Sequence, residues 1–350
     1  MRAPLLLALT TCPLVAIPVT TPLTLSEESG FNELALTINP PVLPADTATS
    51  TLTSVPGQPI MATLDVDPAA GTTQEFSLTG GRIEGTDTTF SGRTIFVGSY
   101  TVNLTNLGGT VSTPNPPAPV DPATGKFDAT LHQFTIDQGQ AAGSISALIV
   151  GTIPINISFT PTESFTGSGS GEGTITLTET SANALTKNFD VEVTIPVDIT
   201  EVTVTDGQEV TIRAVGTIKL EGSAEVPLSE YIAWTIENSI PGAPADDDNN
   251  GDGVRNGIAW ALGYDGVTDA SPSLPRPSEL VPGGFEILLP NGGTAAPLVA
   301  ETSSTLGSWD DIDTGRLSIG SNPIPAGSTG TVTIAPSGAP REFIRLSNSD

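Results

Sequence analysis

From Phe189 to Thr200 the chain reads "FDVEVTIPVDIT", and its side chains divide by parity. Phe189, Val191, Val193, Ile195, Val197 and Ile199 fall on one side. Asp190, Glu192, Thr194, Pro196, Asp198 and Thr200 fall on the other. Successive side chains of an extended chain point to opposite faces, so this alternation predicts a strand with one buried and one wet face. Pro196 lacks a backbone donor, which predicts an edge or a bulge at that point.

The same period continues. "EVTVTDGQEVTIRAVGTIKLEG" places Val202 and Val204, then Val210, Ile212, Ala214, Ile218 and Leu220, in phase on either side of Asp206-Gly207. That dipeptide tolerates the positive φ angles of a tight turn, so a hairpin is expected. "ISALIVGTIPINISF" keeps Ile145 to Phe159 in phase, with Leu148 and Val150 making its second face apolar at one end. That end is expected to be covered on both sides. "SFTGSGSGEGTITL" reads as a flexible turn, and "STPNPPAPVDPATG" as a proline-rich loop barred from a sheet interior. With 37 glycines and 31 prolines and almost no helix pattern between Phe31 and Val226, the expected class is all-β, a large β-sandwich or open barrel. A transmembrane barrel is disfavoured by the acidic wet faces and the lack of aromatic girdles.

Four segments are expected: a secretory signal at 1–24, a large β domain at 25–240, an acidic connector at 241–266 and a small β-rich C-terminal domain at 267–350. The start, "MRAPLLLALTTCPLVAIPVTTP", has one arginine and then an apolar run, the pattern of an export signal cut between about 16 and 25. Cys12, the sole cysteine, lies inside it, so removal of the signal leaves no disulfide and no thiolate chemistry. "LTTC" is a poor lipoprotein box. No later run approaches the ~18 apolar residues of a membrane helix. The expected location is therefore secreted or cell-surface. Acidic side chains outnumber basic ones 39 to 12, a formal net charge of -27, which repels phosphate backbones and argues against nucleic acid.

Between the β segments lies "ADDDNNGDGVRNGIAWALGYD", Ala245 to Asp265. A calcium loop needs oxygen ligands at alternating positions and a glycine at the sharp bend. With Asp252-Gly253 as fifth and sixth positions, Asp248 is first, Asn250 third, Val254 offers its carbonyl seventh and Asn256 falls ninth. A short helix pattern follows, with Gly263 placed to cap it. This stretch resembles the D-x-D-G-D-G segments of secreted bacterial surface proteins, which share a grammar with dockerin and thrombospondin type 3 loops. "LVAETSSTLGSWDDI" and "REFIRLSNSD" resemble the small β-rich tail that follows in such proteins. The resemblance covers roughly Pro244 to Asp350. It implies Ca2+ as cofactor, with Asp248, Asn250, Asp252, Val254 and Asn256 as ligands. The glutamate expected at the twelfth position is Ala259 here, so affinity should fall to the weak extracellular range of about 10⁻⁴–10⁻³ M unless Asp246, Asp247, Asp265 or water substitutes. The alternative is a metal-free Asn-Asp turn with helix capping.

Other chemistry is sparse. His132 is the only histidine; the phase slips beside it, which predicts a β-bulge and a partly exposed ring. No G-x-S-x-G elbow accompanies it. Asp65 and Asp67 share a face, as glycosidase carboxylates would, but an acidic chain produces such pairs by chance. The tryptophans are Trp234, Trp260 and Trp309, with Trp260 expected beneath the acidic loop. The expected function is a non-catalytic structural or binding protein that meets calcium and a cell-surface glycan or protein. The alternatives are a carbohydrate-binding or polysaccharide-degradation accessory module, which needs aromatics lined up on one wet face, and an enzyme with His132 beside carboxylates.

Overall fold

The computed structural model describes residues 16–40, 43–114, 117–148, 151–205 and 208–348. Most of the expected signal segment, the Asp206-Gly207 turn, and Ile149 and Val150 lie outside them. The chain divides into two compact units between Leu228 and Ser229.

In the first unit the strands are β1 (Ile17–Leu25), β2 (Glu33–Asn39), β3 (Asp46–Ser54), β4 (Ile60–Asp67), β5 (Thr72–Gly85), β6 (Thr88–Thr94), β7 (Gly98–Ser112) and β8 (Ala118–Asp121). They continue as β9 (Lys126–Asp128), β10 (Gln133–Ala147), β11 (Gly151–Phe159), β12 (Phe165–Ser168), β13 (Glu172–Ala182), β14 (Thr186–Thr205) and β15 (Gln208–Pro227). All belong to one 15-stranded antiparallel sheet, and it curls into a near-ring of two storeys.

The long strands serve both storeys. The first half of β5 pairs with β4 and β8, its second half with β7 and β3. Likewise β15 pairs with β2 over Thr211–Thr217 and with β1 over Leu220–Gly222, and β14 runs beside it throughout. In the first storey, β5, β4, β1, β15, β14, β13, β9 and β8 are joined by a ladder at every step, ending with Phe76 opposite Ala118. Its core holds Phe76, Phe127, Phe189 and the inward row Val191, Val193, Ile195 and Val197. In the second storey β15, β2, β3, β5, β7, β10 and β12 follow one another, around Phe90, Tyr100, Leu104 and Ile145. Closure there is weaker: among the described residues β12 reaches β14 only beside the single bridge Gly169–Val197.

Pro196 lies at that weak point. The β13 ladder stops at Thr174–Thr194, so the proline sits where one side of β14 has no ladder, as its missing donor requires. Strand β1 carries fully buried Leu23 and nearly buried Ile17. Residues 17–24, assigned in the sequence analysis to the segment 1–24, thus form most of a strand of the closed storey.

Three segments differ from the sequence reading. "ISALIVGTIPINISF" is not one run but a hairpin, with Ala147 opposite Gly151, and Leu148 at its tip is 87% exposed rather than covered. The flexible-looking "SFTGSGSG" contains β12. The proline-rich stretch contributes β8, where different residues serve the two neighbours: Ala118 and Pro119 face β5, Val120 and Asp121 face β9.

Between storeys the strands turn a corner. β5 bends at Gly80 and Gly81, with φ of +122° and +118°, and its register against β7 shifts between Thr79 and Arg82. β7 bends at Asn106 (φ +53°) and β10 at Gly139 (φ +122°), where the β7–β10 register also shifts. Glycine reaches these angles without the Cβ penalty, and such bends are how a sheet curves. Arg82 fixes the corner by donating to both carboxylate oxygens of Asp137, at 2.7 and 3.1 Å, and to the amide oxygen of Gln138 at 3.1 Å. A Cβ at Gly81 would lie 2.4 Å from the Cα of Ile60, where only backbone could give way. Gly81→Ala is therefore expected to lower stability by roughly 2–4 kcal/mol, read as a fall in the urea midpoint of the β-unit transition.

The second unit contains α1 (Glu230–Glu237), α2 (Asn256–Leu262), β16 (Arg276–Pro277), β17 (Phe285–Leu289), β18 (Leu298–Ser303), β19 (Asp310–Asp311), β20 (Gly330–Ile334) and β21 (Phe343–Asn348). Two three-stranded sheets form, β16-β17-β20 and β19-β18-β21. Both helices and both sheets share one core, which includes Trp234, Val254, Ile258, Leu262, Ile287, Leu298 and Ile334. The boundary thus precedes the Pro241-Gly242 signal, and the acidic stretch is built into this unit rather than standing apart as a connector. No helix among the described residues is long and apolar enough to cross a membrane.

Candidate functional site

The acidic loop is closed by its own side chains. Asp248 accepts from the backbone N–H groups of Gly251 and Gly253, at 2.8 and 2.9 Å. Asn250 accepts from the Asp252 N–H, and its amide nitrogen lies 3.2 Å from a carboxylate oxygen of Asp252. Asp252 further accepts from Val254 N–H and Ala270 N–H, both at 2.7 Å. Gly251 and Gly253 have φ of +74° and +84°, so the bend uses the glycines as the sequence reading requires. Gly263 ends α2 in the left-handed region at φ +82°.

Of the five expected ligands, Asp248, Asn250 and Asp252 are brought together. Asn256 is not: its side chain is buried and engaged by Asn249 on both amide atoms and by the Pro244 carbonyl. Val254, whose expected role rests on its backbone carbonyl, buries its side chain in the core. Ala259, at the twelfth position, is also a core residue, so that position faces apolar packing rather than the loop. Asp265 is occupied with the N–H groups of Val267 and Thr268. Among the described residues no three His, Cys, Asp or Glu side chains gather as a metal site. The side-chain donors brought together are two carboxylates and one amide oxygen; Asp252 Oδ2 already accepts from both Asn250 and Ala270, and the other three carboxylate oxygens each keep a lone pair. Such a set suits a weakly held hard cation.

His132 is fully buried, contrary to the expected partial exposure. The phase slip beside it is not a bulge but a one-turn 3₁₀ helix, Ala129–Leu131, capped by the Asp128 side chain. Its Nδ1 lies 2.7 Å from Thr113 Oγ1, Nε2 has no hydrogen-bond partner among the described residues, and the ring packs between Phe76 and Phe127 at 4.8 and 5.0 Å. Burial pushes its pKa down to about 4, against a smaller opposing pull from the Asp128 charge. Asp67 caps the turn at Ala69 and Ala70, and desolvation raises Asp65. Trp234 is buried, Trp260 meets Tyr231 edge-on at 5.6 Å, and Trp309 lies under Arg345 at 4.4 Å.

Because His132 takes up its proton less readily in the folded chain than in the unfolded one, acid favours unfolding. Stability should be insensitive to this group above about pH 6.5 and fall as pH drops towards 4, by on the order of 3 kcal/mol. His132→Phe is expected to flatten that stretch of the stability–pH curve, measured by urea unfolding at stepped pH.

The feature that the strand pattern did not disclose is a chamber in the second storey. An inner void of about 70 Å³ adjoins a vestibule of about 370 Å³. Leu36, Leu107, Ile136, Phe165, Ile199 and Ala214 line both. The inner void reaches Leu52, Ile83, Phe134 and Val197 of the first core, so the chamber lies where the two core clusters meet. Gly85, Gly108 and Gly109 contribute backbone to its wall; a Cβ at Gly85 would point among Ser50, Leu52 and Leu107, whereas one at Gly109 would meet the Thr135 carbonyl at 2.5 Å and one at Gly108 the Gln138 side chain at 3.2 Å. The vestibule opens beside the weak seam, between the end of β11 (Phe159) with the β11–β12 connection (Glu163, Ser164) and Ile199 and Glu201 of β14. Ile199 also spans the seam, because only a glycine at 167 leaves room for it. The vestibule volume falls within the roughly 300–1,000 Å³ of small-molecule sites.

Comparison with family models, with curated proteins and with solved structures gives no match.

Proposed function

We propose that the chain is an exported, non-catalytic binding protein whose large β unit takes an apolar small molecule into the second-storey chamber. The observation that carries this reading is a mainly apolar vestibule of about 370 Å³ opening where the ring is held by one bridge. A fully laddered wall would bar entry; a seam with one backbone bridge can part at small cost. His132 lies outside the lining, so no acid–base group faces a bound molecule from that residue. The tryptophan positions supply no row on a wet sheet face, which favours this reading over a sugar platform.

A neutral dye such as Nile red should bind with a fluorescence gain. Ala214→Phe, which pushes a ring into both cavities, should weaken binding at least about tenfold while circular dichroism stays unchanged. Unaltered binding in that variant would place the dye elsewhere and remove the reading.

The acidic loop is proposed as a weak calcium site that stabilises the second unit. With a dissociation constant near 1 mM, 10 mM calcium would add about 1.4 kcal/mol, a rise of a few degrees in that unit's thermal midpoint. Asp252→Ala should abolish the rise and also lower the calcium-free midpoint, since it strands the Val254 and Ala270 N–H groups. An equal response to magnesium and calcium would mark general screening instead of a site.

A further inference from the structure

We infer that the chamber selects single-chain amphiphiles with a cationic or neutral head over those with an anionic head; this rests on the chamber reading above. The inward row of β14 is apolar from Phe189 through Ile199, and then turns to a carboxylate at Glu201. Glu201 stands on the inner side of the ring, opposite Ile212 of β15, and lines the vestibule. Glu163, from the β11–β12 connection, lines it as well. Both glutamates are exposed, and neither carboxylate has a hydrogen-bond or ion-pair partner among the described residues; the Glu163 N–H donates to Thr160. No lysine or arginine lines either cavity. Arg213, the neighbour of Ile212, is turned to the outer face, where Asp198 binds it at 2.6 and 2.8 Å.

The chamber is therefore polarised along its length. Its depth, at Ile83 and Phe134, offers only hydrocarbon, while its rim offers two uncompensated carboxylates with Ser158 and Ser164 beside them. An alkyl chain gains by burial in the depth, and that leaves its head at the rim. A carboxylate or phosphate head would meet like charge beside low-dielectric walls; an ammonium head would meet opposite charge, and a hydroxyl would find acceptors. The rim thus acts chiefly as a filter on charge, and the depth supplies affinity.

The test displaces Nile red with decyltrimethylammonium, decanol and decanoate at pH 7 and low salt, below their aggregation limits. The cationic probe is expected to bind about tenfold or more tighter than decanoate, with decanol between them. In Glu163→Gln/Glu201→Gln the gap should shrink to about threefold or less, because the rim charge is gone. Glu237→Gln, an exposed change in the other unit, should leave it intact and so controls for attraction to the acidic surface as a whole. Equal affinities, a preference for decanoate, or a gap that survives the double variant overturns the head-group inference and leaves the chamber reading standing. Failure of Nile red and all three probes to bind overturns both.

Discussion

The large unit depends on a sheet that turns a corner without losing its ladders. Long strands can serve two storeys only if they bend at one level, and β5, β7 and β10 do so at Gly80-Gly81, Asn106 and Gly139. Arg82 locks the bend by holding Asp137 with both ends of its guanidinium, half-shielded from water, where a bidentate pair outperforms an exposed ion pair. From that corner follow the two cores on either side of it. The chamber lies where those two cores meet, and Gly85, Gly108 and Gly109 of the bent strands contribute only backbone to its wall.

Closure is unequal for a related reason. The first storey is laddered all round and holds the aromatic cluster with its buried histidine. The second is closed beside one bridge, at the point where Pro196 interrupts the donors of β14 and β13 has ended its pairing. A strand edge left unpaired exposes backbone groups, and native folds commonly shield such edges. Here Ile199 lies across Gly167 to cover part of the gap. What remains open leads to the chamber, so the weak point of the ring and its entrance are the same place.

In the second unit, the carboxylates of the acidic loop perform a structural task whatever ion joins them. A tight turn leaves backbone N–H groups without partners, and Asp248 and Asp252 accept four of them between Gly251 and Ala270. The loop's outer face is thereby folded against an inner face, Val254 with Ile258 and Leu262, that anchors it in the core. A cation binding at the remaining lone pairs would act on a turn already formed.

Alternation alone determined the all-β class, the inward row of β14 and the strand phases of β15, because a period of two follows from backbone geometry and needs no partner to be read. The glycine spacing likewise fixed the bend of the acidic loop and the end of α2. Tertiary structure decided what sequence neighbours cannot express. It placed His132 in a core between Phe76 and Phe127, far from it in the chain or masked by a one-turn helix. It sent Asn256 and Ala259 inward, away from the loop centre, because α2 had to bury that face. It also made the chamber, whose walls come from strands scattered between Leu34 and Ile218. A cavity is the space left after distant segments have packed, and no local pattern records it.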